Sequence, residues 1–200
     1  MQIKKSHEFR SEARNQLSGN WTPAVLITLI YGILLGIGAI PYIGAIVEIV
    51  IGGALALGVT LCFMKLVRGE EFKIEDMFTG FNNFASALLL NIVRGIFVFL
   101  WSLLLVIPGI IASFRYSMAN YILNDNPEIG ALESIRLSKE MMIGHKWQLF
   151  CLYFSFIGWY LLSIITVGIG FLWLTPYITT AVTNFYENLK MLNGDSTKTL

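Results

Sequence analysis

From Pro23 to Ile40 the chain carries no charged residue, and apolar runs of this kind return along its whole length. The second goes from Ala45 to Val67 with Glu48 inside it, and the third from Phe84 to Ile107 with Arg94 inside it. The fourth, Ile110 to Leu123, is short and carries Arg115; the fifth is Trp147 to Val167, and the sixth is Phe171 to about Leu189, with Glu187 near its end. About twenty apolar residues in a helix cross a hydrocarbon core roughly 30 Å thick. In lipid every backbone polar group must be satisfied within the segment, so runs like these become helices. Composition excludes a soluble globule of this size. Hydrophobic residues make up 56% of the 200, and mean hydropathy is +0.67. Charged residues are only 14%, against about 25% in a soluble chain. The sequence predicts an all-α polytopic membrane protein, a single membrane domain over residues 1–190 with a flexible polar tail over 191–200.

Pro and Gly punctuate the runs. Pro41-Tyr42-Ile43-Gly44, Pro108-Gly109 and Gly168-Ile169-Gly170 read as tight turns, which makes six transmembrane helices in three hairpins at about 20–67, 84–123 and 147–189. The first run is too long for the apolar core of a signal peptide and reads as an uncleaved span. Between the hairpins lie amphipathic segments. Phe9, Ala13 and Leu17 recur at helical spacing before the first hairpin, and Ile74, Met77, Phe78 and Phe81 form a stripe before the second. Before the third, Asn126 and Pro127 start a helix with Ile129, Leu132, Ile135 and Met142 on one side and most of its charges on the other. Such a helix is expected to lie flat on the inner leaflet.

The chain also repeats itself. Trp21, Phe84 and Trp147 stand 63 residues apart each time, each closing a Gly-polar-aromatic phrase that opens a hairpin. The glycine ends the preceding helix and the aromatic anchors the next span at headgroup level. Gly32-x3-Gly36 and Gly52-x3-Ala56 are expected to let helices approach closely inside the monomer.

Lys and Arg set the orientation. Twelve of the fourteen fall before the first span, at the end of the second (Lys65) or between the second and third, between the fourth and fifth, or after the sixth, and the three tight turns hold none. By the positive-inside rule both termini are cytoplasmic. A net charge of +1 gives no basic surface for nucleic acid. No catalytic or phosphate-binding phrase occurs, and neither the two cysteines nor the two histidines have the spacing of a metal site. The expectation is a non-enzymatic protein without cofactor or metal.

The candidates for function are the charges within the runs: Glu48, Arg94, Arg115 and Glu187. Counted from the turns at 1.5 Å per residue, Glu48 lies about 6 Å and Arg115 about 9 Å deep, Arg94 about 21 Å and Glu187 about 25 Å. Matched depth predicts two pairs, Glu48 with Arg115 and Arg94 with Glu187, that fix helix register. The rival reading is that these groups line a polar path or hold an anionic headgroup.

The phrases Leu88 to Phe97, Trp101 to Ile111 and Arg115-Tyr116-Ser117-Met118-Ala119, with Gly144-His145-Lys146-Trp147 and Asn184-Phe185-Tyr186-Glu187, resemble the bacterial domain-of-unknown-function family nine-seven-five over nearly the whole chain. That resemblance implies a multi-pass plasma-membrane protein and supplies no reaction or ligand. The layout is more distantly similar to the membrane region fused to some glycerophosphodiester phosphodiesterases, without their catalytic domain. The sequence reading is thus a scaffold or accessory subunit in the lipid bilayer, binding a protein partner through the cytoplasmic surface helices or binding lipid. The alternative is a small transporter or lipid-handling protein using the intramembrane charges. A water-lined cavity reaching Glu48 favours transport; a dry, fully packed bundle favours the scaffold. Oligomeric state is not written in the sequence.

Overall fold

A computed structural model of the protein describes residues 3–36, 43–104 and 106–196, and every regular element among them is a helix. The turn expected at Pro41-Tyr42 and the last four residues of the polar tail lie outside the described residues. In chain order the helices are α1 (Ser6–Leu17), α2 (Trp21–Gly36), α3 (Ile43–Arg68), a 3-10 helix (Ile74–Asn83), α4 (Phe84–Leu104), α5 (Val106–Arg115) and α6 (Ala119–Asp125). A short 3-10 turn (Pro127–Ile129) then leads to α7 (Gly130–Met141), α8 (Lys146–Phe154), α9 (Ile157–Ile165) and α10 (Phe171–Ser196).

Three helical stretches are long and apolar enough to cross a membrane: Glu48–Arg68, Ile74–Leu103 and Lys146–Ile165. A fourth is added if α1 and α2, bent by 102°, count as one broken span. This fits a membrane protein, as does the exposure of large apolar side chains along α4, α5 and α9, with Phe99 64% and Ile165 75% exposed. The run expected as the fourth span is broken into α5 and α6, of ten and seven residues. The sixth, in α10, has the length but carries Thr180, Thr183, Asn184 and Asn188 on its buried side. Hydroxyls of Thr180 and Thr183 donate to carbonyls one turn back, which satisfies them without a partner helix. Helix α10 is the centre of the bundle, with Phe185 and Leu189 fully buried among residues of α1, α3 and α8.

The amphipathic segments are helical as expected, but the first, and most of the third, bury their stripes in the protein. Phe9, Ala13 and Leu17 of α1 pack onto α10, with the Phe9 and Phe185 rings edge to face at 5.5 Å. Helix α7 packs on α4 and α6 through Ala131, Ser134, Ile135 and Ser138, while Leu132 is 61% exposed. The reason is local. The helix does not run straight from Pro127; a 3-10 turn precedes α7, whose first residue, Gly130, has φ +72° and resets its face. In the second amphipathic segment a 3-10 helix, with three residues per turn, splits the expected stripe. Met77 and Gly80 turn inward, and Phe78, Phe81 and Phe84 stack outward at 6.5 and 6.2 Å.

The close helix approaches also fall elsewhere than expected. Among the described residues a Cβ on Gly32 or Gly36 would meet nothing within 4 Å, and one on Gly52 would make ordinary contacts. The tight crossings use Gly53, Gly58 and Gly80, where an added Cβ would sit 2.7 Å or less from a backbone oxygen of the facing element.

Candidate functional site

The small residues Gly52 and Ala56 on α3 and Gly95 on α4 leave room between these helices, just beyond the tight contact of Gly53 with Ala87 and Asn91. The result is a cavity of about 390 Å³ whose polar lining is Tyr31, Glu48, Asn91, Arg94 and Ser113. It adjoins a groove of about 500 Å³ that shares Glu48, Asn91 and Gly95 and continues over Ile49, Ile92, Ile96 and Phe99. Those four apolar side chains are exposed, so one end of the site is charged and the other opens onto the apolar surface of α4.

The charged residues are not paired as matched depth predicted. Glu48 lines the cavity together with Arg94, and among the described residues no ion pair joins either to any other group. Depth alone does not fix which helix faces are apposed, and Glu187 turns toward Arg68 of α3 instead of toward Arg94. Arg115 closes α5 near α7, where its carbonyl accepts a hydrogen bond from the Ser138 hydroxyl at 2.8 Å. No ion pair joins it to Glu48 among the described residues.

Glu187 belongs to a second cluster, where α3 and α6 end against the side of α10. Arg68 bridges Glu187 and Asp125, each at 2.7 Å. Asp125 also accepts hydrogen bonds from Lys190 at 2.6 Å and the Tyr186 hydroxyl at 2.7 Å. Burial works against the charge on Asp125, but the bonds from Lys190, Tyr186 and Arg68 outweigh it and hold the carboxyl below the usual carboxylate range. Beside this cluster Gln16 and Asn184 exchange amide hydrogen bonds at 3.0 and 2.6 Å, and Lys4 pairs with Glu12 at 2.6 Å. Here each charge has its partner, which makes the cluster a clasp between helix ends. Sequence reasoning missed it because Arg68 and Asp125 fall outside the apolar runs.

The contrast locates the chemistry. The clasp is internally satisfied, whereas the α3–α4 cleft holds a carboxylate and a guanidinium that form no ion pair among the described residues. A charge facing low-dielectric surroundings without a partner is costly, and such groups mark binding sites. Among the described residues no three His, Cys, Asp or Glu side chains come together as metal ligands would.

A family model described as "Protein of unknown function (DUF975)" matches residues 1–109 and 102–193. No curated protein and no solved structure matches the chain.

Proposed function

The chain belongs to the family of unknown function DUF975, and from that premise we propose that it is a non-enzymatic, multi-pass protein of the bacterial plasma membrane that binds lipid. The observation that carries this reading is the cleft: unpaired Glu48 and Arg94 at one end, and an apolar groove along Ile92, Ile96 and Phe99 at the other. An amphiphile has that same division. A scaffold role through the surface helices has less support, because α1 and most of α7 spend their apolar stripes on the protein itself. Transport of a small solute has less support too, since the groove opens along an apolar helix face.

The test is lipid retention. The protein purified from membranes should carry tightly held lipid in native mass spectrometry, and Gly95→Phe should remove most of it. A Cβ on Gly95 meets nothing within 4 Å, so the ring enters the cleft without forcing the helices apart. Equal retention by both proteins, each folded, would rule the reading out.

The proposal includes six spans in three hairpins with both ends of the chain cytoplasmic. Support comes from the clasp, which gathers the ends of α3 and α6 against Glu187 and Lys190 of α10 and so puts Arg68 and Lys190 on one side. Further support comes from two hairpins built alike. A Cβ on Gly109 would crowd the Ser102 hydroxyl and one on Gly170 the Ser163 hydroxyl, a seven-residue spacing in both. In a cysteine-free variant, a cysteine at Ile169 should react with an impermeant thiol reagent on intact cells. One at Ser196 should react only after permeabilisation, and the reverse pattern would invert the topology.

A further inference from the structure

We propose that the cleft selects a phospholipid with a zwitterionic headgroup bearing a primary amine, the phosphate held by Arg94 and the ammonium by Glu48. This rests on the lipid-binding reading and adds the headgroup. The two charges share one cavity, yet no ion pair joins them. A lipid with a purely anionic headgroup neutralises Arg94 and leaves its own negative charge facing the Glu48 carboxylate. A cationic amphiphile does the converse. Only a dipolar headgroup leaves neither protein charge bare, and the cost of a bare charge in a low-dielectric cleft decides among them.

The hydrogen-bonding inventory points to a primary amine and not a quaternary one. The Asn91 amide nitrogen donates to the Ile49 carbonyl at 3.4 Å, which leaves its oxygen free to accept. Glu48, the Asn91 oxygen and the Tyr31 hydroxyl thus offer acceptors to an ammonium with three N–H bonds. A trimethylammonium has none to give, and its usual cage of several aromatic faces is not built here, where Tyr31 is the one aromatic in the cavity lining. The Arg94 guanidinium presents N–H donors in the planar fork that suits phosphate oxygens. The acyl chain then follows the groove past Ile92 and Ile96 to Phe99, on the exposed face of α4.

The experiment uses the full chain in phosphatidylcholine nanodiscs, with acyl-labelled phosphatidylethanolamine or phosphatidylglycerol as the probe. The expected result is selection of phosphatidylethanolamine over both other lipids by about tenfold, the scale of one charge-assisted bond. Arg94→Gln and Glu48→Gln should each remove that selectivity with helicity intact. Soluble phosphoethanolamine should compete far more weakly than the lipid; equal competition would show that the acyl groove contributes nothing and would overturn the lipid assignment. Preference for phosphatidylglycerol, with Glu48→Gln improving its binding, would overturn the headgroup assignment while leaving lipid binding intact. Loss of discrimination among all three lipids in the unmutated protein, with Gly95→Phe no different, would sink both. Because selectivity is first read on the unmutated chain, a variant that fails to fold does not shield the proposal.

Discussion

Gly58→Ala and Gly80→Ala should each lower the melting temperature of the detergent-purified protein sharply, while Gly32→Ala and Gly95→Ala leave it nearly unchanged. All four changes add one methyl group; what differs is the space. A Cβ on Gly58 would lie 1.8 Å from the Met77 carbonyl oxygen, and one on Gly80 would lie 2.0 Å from the Ala54 oxygen. At Gly32 and Gly95 it would meet nothing within 4 Å. The crossing is reciprocal. Gly58 and Ala54 are one α-helical turn apart on α3, and Met77 and Gly80 are one 3-10 turn apart on the facing element. Each glycine therefore sits on a carbonyl of the other backbone, and neither backbone can move aside without losing its own hydrogen bonds. The cost should reach about 3 kcal/mol, the upper end of the overpacking range. At roughly 2–4 °C per kcal/mol for a chain of this size, that is a loss of about 6–12 °C. The double variant should cost less than the two singles together, because the first methyl has already parted the helices. A Gly58→Ala protein as stable as Gly32→Ala would mean that the 3-10 helix does not press on α3 in this way.

Little of that crossing could be read from the sequence, and the reason is physical. Gly32-x3-Gly36 has the spacing of a close-packing stripe, yet its open surroundings make the pattern idle. Gly58 and Gly80 follow no such spacing, because the face they build combines one α and one 3-10 element, and a 3-10 segment cannot be told from an α-helix by its apolar stripe alone. What composition and periodicity could carry, they carried. Among the described residues the apolar runs are helical, the fourth of them broken, and Phe9, Ala13 and Leu17 form one buried face. The membership suggested by Arg94-Gly95, Pro108-Gly109 and Gly144-His145-Lys146-Trp147 holds along nearly all of the chain. Partner choice is a different matter. Apolar stripes on α1 and α7 look the same whether they meet lipid or protein, so their burial on α10, α4 and α6 was not visible in one dimension. The charges show the same limit. Counting along helices placed Glu187 far from its turn, and it does lie in the far half of α10, beside the end of α3. Its partner Arg68 comes from α3 and shares Asp125 with Lys190, a meeting of two helix ends with the side of α10 that no spacing rule encodes.

Asp125→Asn should be the most damaging single change to that meeting, and its cost should depend on pH in one direction. Asp125 is the hub: Arg68, Tyr186 and Lys190 all donate to its carboxylate, which is 8% exposed. An amide of the same shape keeps one acceptor oxygen but sets an N–H2 group against three donors. Breaking a fully buried pair costs about 3–5 kcal/mol. Here Lys190 is 49% exposed and can be rehydrated, and Arg68 keeps Glu187, so about 2–3 kcal/mol is the expected loss. The folded carboxyl titrates below its ordinary range. Its stabilisation is therefore complete above the unfolded value, about 3.9, and disappears as pH falls through the lower folded value. The melting-temperature gap between the unmutated protein and Asp125→Asn should be constant from pH 8 to pH 5 and narrow only in strong acid. Tyr186→Phe, which removes one neutral donor, should cost about 1 kcal/mol. Lipid retention supplies an independent check. Glu48 and Arg68 stand twenty residues apart on α3, about 30 Å at 1.5 Å per residue, so a clasp that only joins helix ends can be weakened without touching the cleft. Folded Asp125→Asn protein should keep its lipid selectivity. A variant that loses selectivity while α3 stays folded would mean that the clasp and the cleft are coupled along that helix, and that the charged helix ends take part in binding.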